Sequence, residues 1–233
     1  MVNPHQARAL LDAVRAQQPS GPRLFAFFAV MYYAGLRPEE AINLGTDNVI
    51  LPPRVWDEDS QQWQNPSDDQ EWGELHLRSA TPDAGSEWTD DGSPRERRQL
   101  KHRAEGDSRI VPTHPELTRL LSDHIASFGL AEDGRLFAGV RGGELPTITY
   151  RRAWTKARQV ALTPAEQASP LARRPYDLRH ACLSTWLNGG VYPTQVAEWA
   201  GHSVDVLLRI YAKCVAGQDE LAKRRISEAL RQD

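Results

Sequence analysis

Cysteine is scarce in this chain of 233 residues, which contains only Cys182 and Cys214. Two cysteines exclude the disulfide frameworks that stabilise small secreted domains, and no Cys/His spacing in the sequence matches a zinc site. The composition is typical of a reducing cytoplasm. We therefore expect a cytoplasmic protein without a structural metal.

Long apolar runs are also missing. The strongest, LFAFFAVMYYAGL at residues 24–36, is too short to cross a bilayer and lacks the features of a signal peptide. Apolar residues make up 40% of the chain and charged residues 25%, as in soluble globular proteins. We expect one domain over residues 1–233, with a sizeable core and no membrane partner.

The chain has no excess of positive charge, and its formal net charge of −3 argues at first against a nucleic-acid partner. The distribution of charge reverses that conclusion. Residues 57–91 carry eleven Asp or Glu against the single Arg78, so the rest of the chain is net basic. Such a body suits phosphate binding, although two solvated charged faces would explain the charges equally well.

Helical patterns dominate, and the sequence predicts a mostly helical α+β fold with one small sheet. Asn3-Pro4 is typical of a helix start, and Pro38-Glu39-Glu40 is typical of a first helical turn. Residues 79–108 are predicted to form a long loop. Further helices are predicted at about 22–34, 115–129, 147–161, 178–188, 194–200, 204–213 and 218–231, and strands at 47–51, 72–78 and 109–112.

Tyr211 is the candidate nucleophile, nine residues after His202 in GHSVDVLLRIY. Val204, Leu207 and Leu208 precede it at helical spacing, so Tyr211 on its own is equally explained as a core aromatic. A tyrosine that attacks a phosphodiester needs fixed cations around the phosphate, because negative charge builds on the non-bridging oxygens.

Arg37 and Arg179 are candidates for those cations, since each is predicted at a junction between a turn and a helix and a guanidinium fork binds two oxygens. Arg37 could instead form a surface salt bridge with Glu40. Lys101, in the predicted loop between strands, is a candidate general acid for the leaving oxygen, or else a solvated loop lysine.

Five short motifs occur in order along essentially the whole chain: GLRPEEAINL, LKHRAEGDSRIVP, YDLRH, AGH and IY. In this order and spacing they resemble the catalytic domain of the tyrosine recombinases, the phage integrase family, and most closely the integrases of actinobacterial elements and phages. The resemblance implies an α+β, mostly helical fold with a small antiparallel three-stranded sheet. It also implies that Glu40 occupies an acidic position with a structural role.

The resemblance further implies the chemistry of site-specific recombination. Arg37 and Arg179 would hold the scissile phosphate, His202 would hydrogen-bond a non-bridging oxygen, and Lys101 would protonate the leaving 5′-oxygen. Tyr211 would form a 3′-phosphotyrosyl link to DNA, which a free 5′-hydroxyl later reverses. No cofactor is implied, since the reaction needs neither ATP nor a metal.

The implied partners are double-stranded DNA at attachment sites, further copies of the chain in a DNA-bound tetramer, and an accessory directionality or host bending factor. DNA binding would place the protein at the bacterial nucleoid. The C-terminal segment with Leu221, Ile226 and Leu230 would couple subunits, or else pack on its own domain. We also expect the N-terminal core-binding and arm-binding domains to be absent from this chain.

One position departs from the family pattern, which usually has His or Lys where this chain has Tyr176. A phenol donates a hydrogen bond but is a poor base and carries no positive charge at pH 7. The interpretation is that Tyr176 contributes by hydrogen bonding, or only packs and orients the phosphate site.

Three other interpretations stay open. The segment PTQVAEWAGHSVDVLLRIYAK also fits a helix-turn-helix regulator, with Gly201 in the turn and residues 204–213 as the recognition helix. That interpretation gives no role to Arg37, Lys101 or YDLRH. The others are a catalytically impaired integrase relative, indicated by Tyr176, and a type IB topoisomerase, which shares the chemistry.

Overall fold

The computed structural model describes residues 1–64, 71–80, 98–99, 108–139, 142–215 and 219–231. Within these residues the helices are α1 (Pro4–Arg15), α2 (Gly21–Tyr33), α3 (Pro38–Ile42), α4 (Pro115–Phe128), α5 (Thr147–Ala161), α6 (Pro164–Ala168), α7 (Asp177–Asn188), α8 (Pro193–Ala200), α9 (Val204–Val215) and α10 (Asp219–Ala229). The strands are β1 (Val49–Ile50), β2 (Val55–Asp57), β3 (Gln62–Gln64), β4 (Gly73–Leu77), β5 (Ser79–Ala80), β6 (Arg98–Gln99) and β7 (Arg109–Thr113).

Helix α2 lies at the centre of the molecule because its sequence, GPRLFAFFAVMYY, is apolar on nearly every side. It packs against α1, α4 and α7. Phe28 is fully buried and stacks on Trp154 of α5, with ring centroids 5.2 Å apart. Gly35 follows the helix with a φ of +61°, a conformation that favours glycine and turns the chain toward α3.

The main sheet is antiparallel, with strand order β1-β4-β7. Buried and exposed residues alternate along β4 and β7, so one face of the sheet covers the core. The register pairs Leu75 with Val111 and Leu77 with Arg109. Arg109 therefore points to the buried face of the sheet, on the same face as Val111 and opposite Leu77.

The predicted fold class is confirmed: the protein is mostly helical, with a small antiparallel three-stranded sheet. Asn3 caps α1 as predicted, and its side chain accepts a hydrogen bond from the backbone N–H of Gln6. The prediction of an uninterrupted loop over residues 79–108 was wrong, since β5 and β6 pair within it. The β2-β3 hairpin and helix α6 were not predicted.

No helix among the described residues has both the length and the apolar character needed to cross a membrane.

We predict that Phe28→Ala lowers the free energy of unfolding by about 3–5 kcal/mol, because it leaves a cavity beside Trp154. Urea unfolding followed by tryptophan fluorescence measures this loss. Phe25→Ala is the matched control, because Phe25 is only half-buried beside Arg15. It should lower the free energy of unfolding by clearly less. Equal losses for the two variants would contradict the central place of α2 in the core.

Candidate active site

The carboxylate of Glu40 in α3 joins three arginines. Its Oε1 accepts a hydrogen bond from Nη1 of Arg37 at 2.6 Å, and its Oε2 accepts one from Nη2 of Arg109 at 2.7 Å. Nη1 of Arg179 lies 4.0 Å from the same Oε2. Glu40 and Arg109 are almost fully buried and Arg179 completely so, whereas 18% of the Arg37 side chain is exposed.

The charges of this cluster do not balance. Burial alone would raise the pKa of Glu40, but Arg109, Arg37 and Arg179 outweigh it and lower the pKa to about 2. The carboxyl is therefore ionised at neutral pH and offsets only one of three guanidinium charges. The remaining positive charge lies in a poorly solvated site, where it favours an anion.

Arg179 is held in place by backbone carbonyls at the ends of two helices. It is the third residue of α7, and its guanidinium donates to the carbonyl of Gly35 after α2 and, at 2.6 Å, to that of Ala200 at the end of α8. Burial and the nearby Arg37 lower its pKa, but the guanidinium stays charged, because arginine is not deprotonated in proteins. Three helices thus fix the direction of one cation.

Arg109 reaches the site from β7 and packs against the turn between α8 and α9. Gly201 in that turn has a φ of +62°, and a Cβ at this position would clash with Nη1 of Arg109. The carbonyl of Gly201 also accepts a hydrogen bond from Nη2 of Arg37 at 3.2 Å. Backbone conformation and close packing both require glycine here.

His202 completes the cluster as a neutral imidazole. Its Nε2 lies 3.1 Å from Nη2 of Arg179, and because a guanidinium only donates, Nε2 accepts and Nδ1 carries the proton. Burial, followed by Arg179, Arg37 and Arg109, lowers the pKa of His202 to about 4. Nδ1 is buried and has no hydrogen-bond partner within the described part of the chain, which leaves a polar atom of the site unsatisfied.

Tyr211 is buried in α9, with 1% of its surface exposed, and packs in a cluster that includes Leu207. Its hydroxyl lies 2.6 Å from Nδ1 of His180 in α7. The backbone of Tyr211 (φ −113°, ψ 18°) is not helical, so α9 bends at this residue. The predicted apolar face of α9 is only partly correct, since Val204 and Leu208 are 37% and 38% exposed.

Tyr176 lies immediately before α7 and is half-buried. Its ring meets that of His180 edge to face, with centroids 5.0 Å apart, and the guanidinium carbon of Arg179 lies 6.0 Å from its centroid. On its other side Tyr176 borders a cleft of about 740 Å³. Basic residues on the wall of this cleft are Arg151, Arg173 and Arg174.

The structure brings Arg37, Arg179 and His202 together, as the sequence predicted. It connects Tyr211 to this group through His180, the neighbour of Arg179 in α7. The predicted surface salt bridge between Arg37 and Glu40 is instead part of a buried network. Lys101 lies outside the described residues, and its role stays a prediction.

Two residues of the site, Arg109 and His180, were not predicted. Arg109 lies on the same buried face of β7 as Val111 and Thr113. An arginine among buried residues indicates a buried partner of opposite charge. His180 is the last residue of the YDLRH motif, but the motif does not indicate its partner, because the contact with Tyr211 spans 31 positions of the sequence.

No protein family model matches the chain. Tyrosine recombinase XerC of Corynebacterium efficiens is 34% identical over 97 residues, which cover 42% of this chain and 27% of that protein. The matched segment thus spans about a quarter of the curated relative.

Solved structures match over most of the chain. The Tn1549 transposon integrase in complex with transposon right end DNA aligns with a TM-score of 0.68 and 16% identity, over 97% of this chain and 65% of that one. XerH bound to palindromic difH aligns with a TM-score of 0.63 and 14% identity, over 95% of this chain and 51% of that one. The catalytic domain of bacteriophage HP1 integrase aligns with a TM-score of 0.53 and 17% identity, over 96% of this chain and 93% of that domain.

The chain therefore has the fold of a tyrosine recombinase catalytic domain. The resemblance predicted from the motifs is confirmed by this fold and by the sequence match to XerC.

We predict that Glu40→Gln lowers the free energy of unfolding at pH 7 by about 3 kcal/mol, because three guanidinium groups lose their shared counter-charge. The pKa of Glu40 is about 2 in the folded protein, below its ordinary 4.5. Its contribution is therefore complete above pH 4.5 and is lost as the pH falls toward 2. The difference in free energy of unfolding between wild type and variant should therefore become smaller as the pH falls from 4.5 toward 2.

Urea unfolding at neutral and acidic pH measures this gap, with Glu39→Gln on the same helix as the matched control. A gap that is independent of pH would show that the charge of Glu40 is not what stabilises the site.

Proposed function

We propose that the protein cleaves and rejoins DNA strands at specific sites, in integration or excision, by transesterification through a 3′-phosphotyrosyl intermediate on Tyr211. The observation that carries the proposal is the buried cluster of three arginines around one carboxylate, with a neutral His202 against Arg179. Such a site favours a phosphodiester. Tyr211 lies beside it and contacts His180, the neighbour of Arg179 in the sequence.

Each residue of the cluster then has a distinct task. Arg37 is the most exposed of the three arginines and donates to the non-bridging oxygens of the phosphate together with Arg179. His202 accepts from Arg179 at Nε2, which requires the neutral form, and donates from Nδ1. Arg109 positions the others through Glu40 and Gly201.

In each step one phosphorus–oxygen bond forms and one breaks, so the reaction needs no external energy source. The Tyr211 oxygen attacks phosphorus, and the bond from phosphorus to the 5′-oxygen breaks. Lys101 supplies a proton to the leaving oxygen in this proposal. A 5′-hydroxyl then attacks the phosphotyrosine and restores both the phosphodiester and the free tyrosine, so neither ATP nor a metal is required.

Double-stranded DNA with attachment sites is the proposed substrate. The solved structures of similar fold include an integrase in complex with transposon right end DNA and a recombinase bound to palindromic difH substrate. The cleft beside Tyr176 is also lined by Pro38 and Glu39, which directly follow Arg37. A bacterial cytoplasmic location at the nucleoid follows from this proposal.

Assembly into a DNA-bound tetramer is a further part of the proposal. Ile226 and Leu230, in and directly after α10, are 60% and 78% exposed, which suits contacts with a neighbouring copy. An accessory directionality or host bending factor remains a proposed partner.

The helix-turn-helix interpretation is not favoured by the contacts of its turn. The carbonyls of Ala200 and Gly201 are occupied by Arg179 and Arg37, so the α8-α9 turn belongs to the anion site. A topoisomerase would form the same covalent bond but would relax supercoiled DNA without paired sites.

We predict that wild-type protein, incubated with a pool of nicked duplexes of randomised core sequence, yields a covalent adduct on a denaturing gel. Tyr211→Phe should reduce the adduct by about 10⁴-fold or more, because the nucleophilic oxygen is lost. Tyr192→Phe, at a tyrosine that is 71% exposed, is the matched control and should leave the yield unchanged. An adduct that persists in Tyr211→Phe rules out this nucleophile, and none with wild type favours a binding protein.

Tyr176→Phe tests the departure from the family pattern. If the hydroxyl donates a hydrogen bond to the phosphate, the cleavage rate should fall by about 5- to 10-fold, the value of one hydrogen bond. Rates are measured by quenched time courses on a duplex recovered from the pool. A rate equal to wild type would leave Tyr176 a packing role only.

A further inference from the structure

The contact between His180 and Tyr211 has no role in the reaction as described so far. Nδ1 of His180 lies 2.6 Å from the Tyr211 hydroxyl, a distance typical of a strong hydrogen bond, and the two rings are 5.7 Å apart. The phenol is buried, so water does not take the place of this partner.

The ring of His180 is also held by Tyr176. Tyr176 packs edge to face against its ring, with centroids 5.0 Å apart. The backbone of His180 is fixed within α7, where its carbonyl accepts a hydrogen bond from Ser184. Its side chain is half-buried and borders a cleft that opens beside α7. The imidazole therefore has a fixed direction toward Tyr211 and a route by which a proton can exchange with solvent.

The protonation state of His180 suits an acceptor. Burial lowers its pKa, Asp177 acts in the opposite direction, and Arg179 adds to the lowering, so the imidazole is neutral at pH 7. Charged or titratable residues that face it are Asp177 and Arg179 on α7, Tyr176 before α7, Tyr211 on α9, and Met1 and Glu166 along the cleft.

We propose that His180 is the general base of strand cleavage, which accepts the phenolic proton of Tyr211 as the tyrosine oxygen attacks phosphorus. The proposal rests on the proposed function and adds the residue that activates its nucleophile. His180 qualifies as catalytic because its Nδ1 touches the reacting oxygen.

The proton balance is complete in both directions. During cleavage the O–H bond of Tyr211 breaks, its proton moves to Nδ1 of His180, and the oxygen forms the bond to phosphorus. The leaving 5′-oxygen receives a separate proton from the general acid. During rejoining the imidazolium of His180 returns its proton to Tyr211 as the phosphotyrosyl bond breaks, so no co-reactant is consumed.

This assignment also explains the departure at position 176. A tyrosine there cannot accept a proton at pH 7, but its ring braces His180 one helical turn further along. The base then lies at position 180, next to the arginine that binds the phosphate.

The decisive variant is His180→Asn, whose amide oxygen can accept the hydrogen bond from Tyr211 but cannot take up its proton. We expect the cleavage rate at pH 7 to fall by about 10²- to 10⁴-fold. We also expect it to rise about tenfold per pH unit toward alkaline pH, as hydroxide replaces the base. The wild-type rate should hold steady above pH 6.5 and decline only at lower pH, because the base must be neutral and burial lowers its pKa.

A duplex recovered from the randomised pool serves as the probe, made once with a normal phosphate and once with sulfur in place of the bridging 5′-oxygen. A thiolate leaves without a proton, so the second probe removes the need for the general acid. Slow cleavage by Lys101→Ala should recover on the sulfur probe, whereas slow cleavage by His180→Asn should not. His5→Asn, at an exposed histidine of α1, is the matched control.

The outcomes separate this proposal from the proposed function. If wild type forms the adduct and His180→Asn matches it in rate and pH profile, His180 is not the base, although the proposed function stands. A slow variant whose pH profile keeps the wild-type shape, or which recovers on the sulfur probe, also overturns the proposal. Absence of any adduct with wild type overturns the proposed function and this proposal together.

Discussion

The site depends on one interaction, the sharing of the Glu40 carboxylate by arginines from three parts of the fold. Arg37 lies directly before α3, Arg109 comes from β7 and Arg179 from α7, so the carboxylate fixes the sheet and two helices relative to one another. Burying an ion pair adds little net stability, but removing one partner leaves uncompensated buried charge. Glu40 therefore acts mainly by selecting this arrangement over others.

The sign of the remaining charge links the interaction to function. Without Glu40, three guanidinium groups would repel one another in a poorly solvated space, which would destabilise the empty site. A second carboxylate would lower the net positive charge of the cluster and weaken its attraction for phosphate. One acid for three arginines leaves a net positive charge that attracts an anion. Burial, together with the same arginines, keeps His202 neutral.

Local signals in the sequence predicted most of the fold and the order of the site. Asn3 marks the start of α1, and the motifs around Arg37, Arg179 and His202 lie in segments whose own helix starts and turns place them. Arg109 was missed because its burial depends on the pairing of β7 with β4, a contact between distant segments. His180 was missed for the same reason, since only the packing of α7 on α9 brings it to Tyr211.

The tyrosine at position 176 shows how such long-range packing changes the interpretation of a motif. By comparison with the family pattern alone, Tyr176 indicates an impaired enzyme, because a histidine or lysine is missing. Tyr176 and His180 are one helical turn apart, so their side chains share a face of the chain at the start of α7, and the rings are in contact. A proton acceptor thus remains within one turn of the altered position and already touches Tyr211, the proposed nucleophile. The proposed reaction needs a base close to Tyr211, and a residue at another position of the motif can supply it.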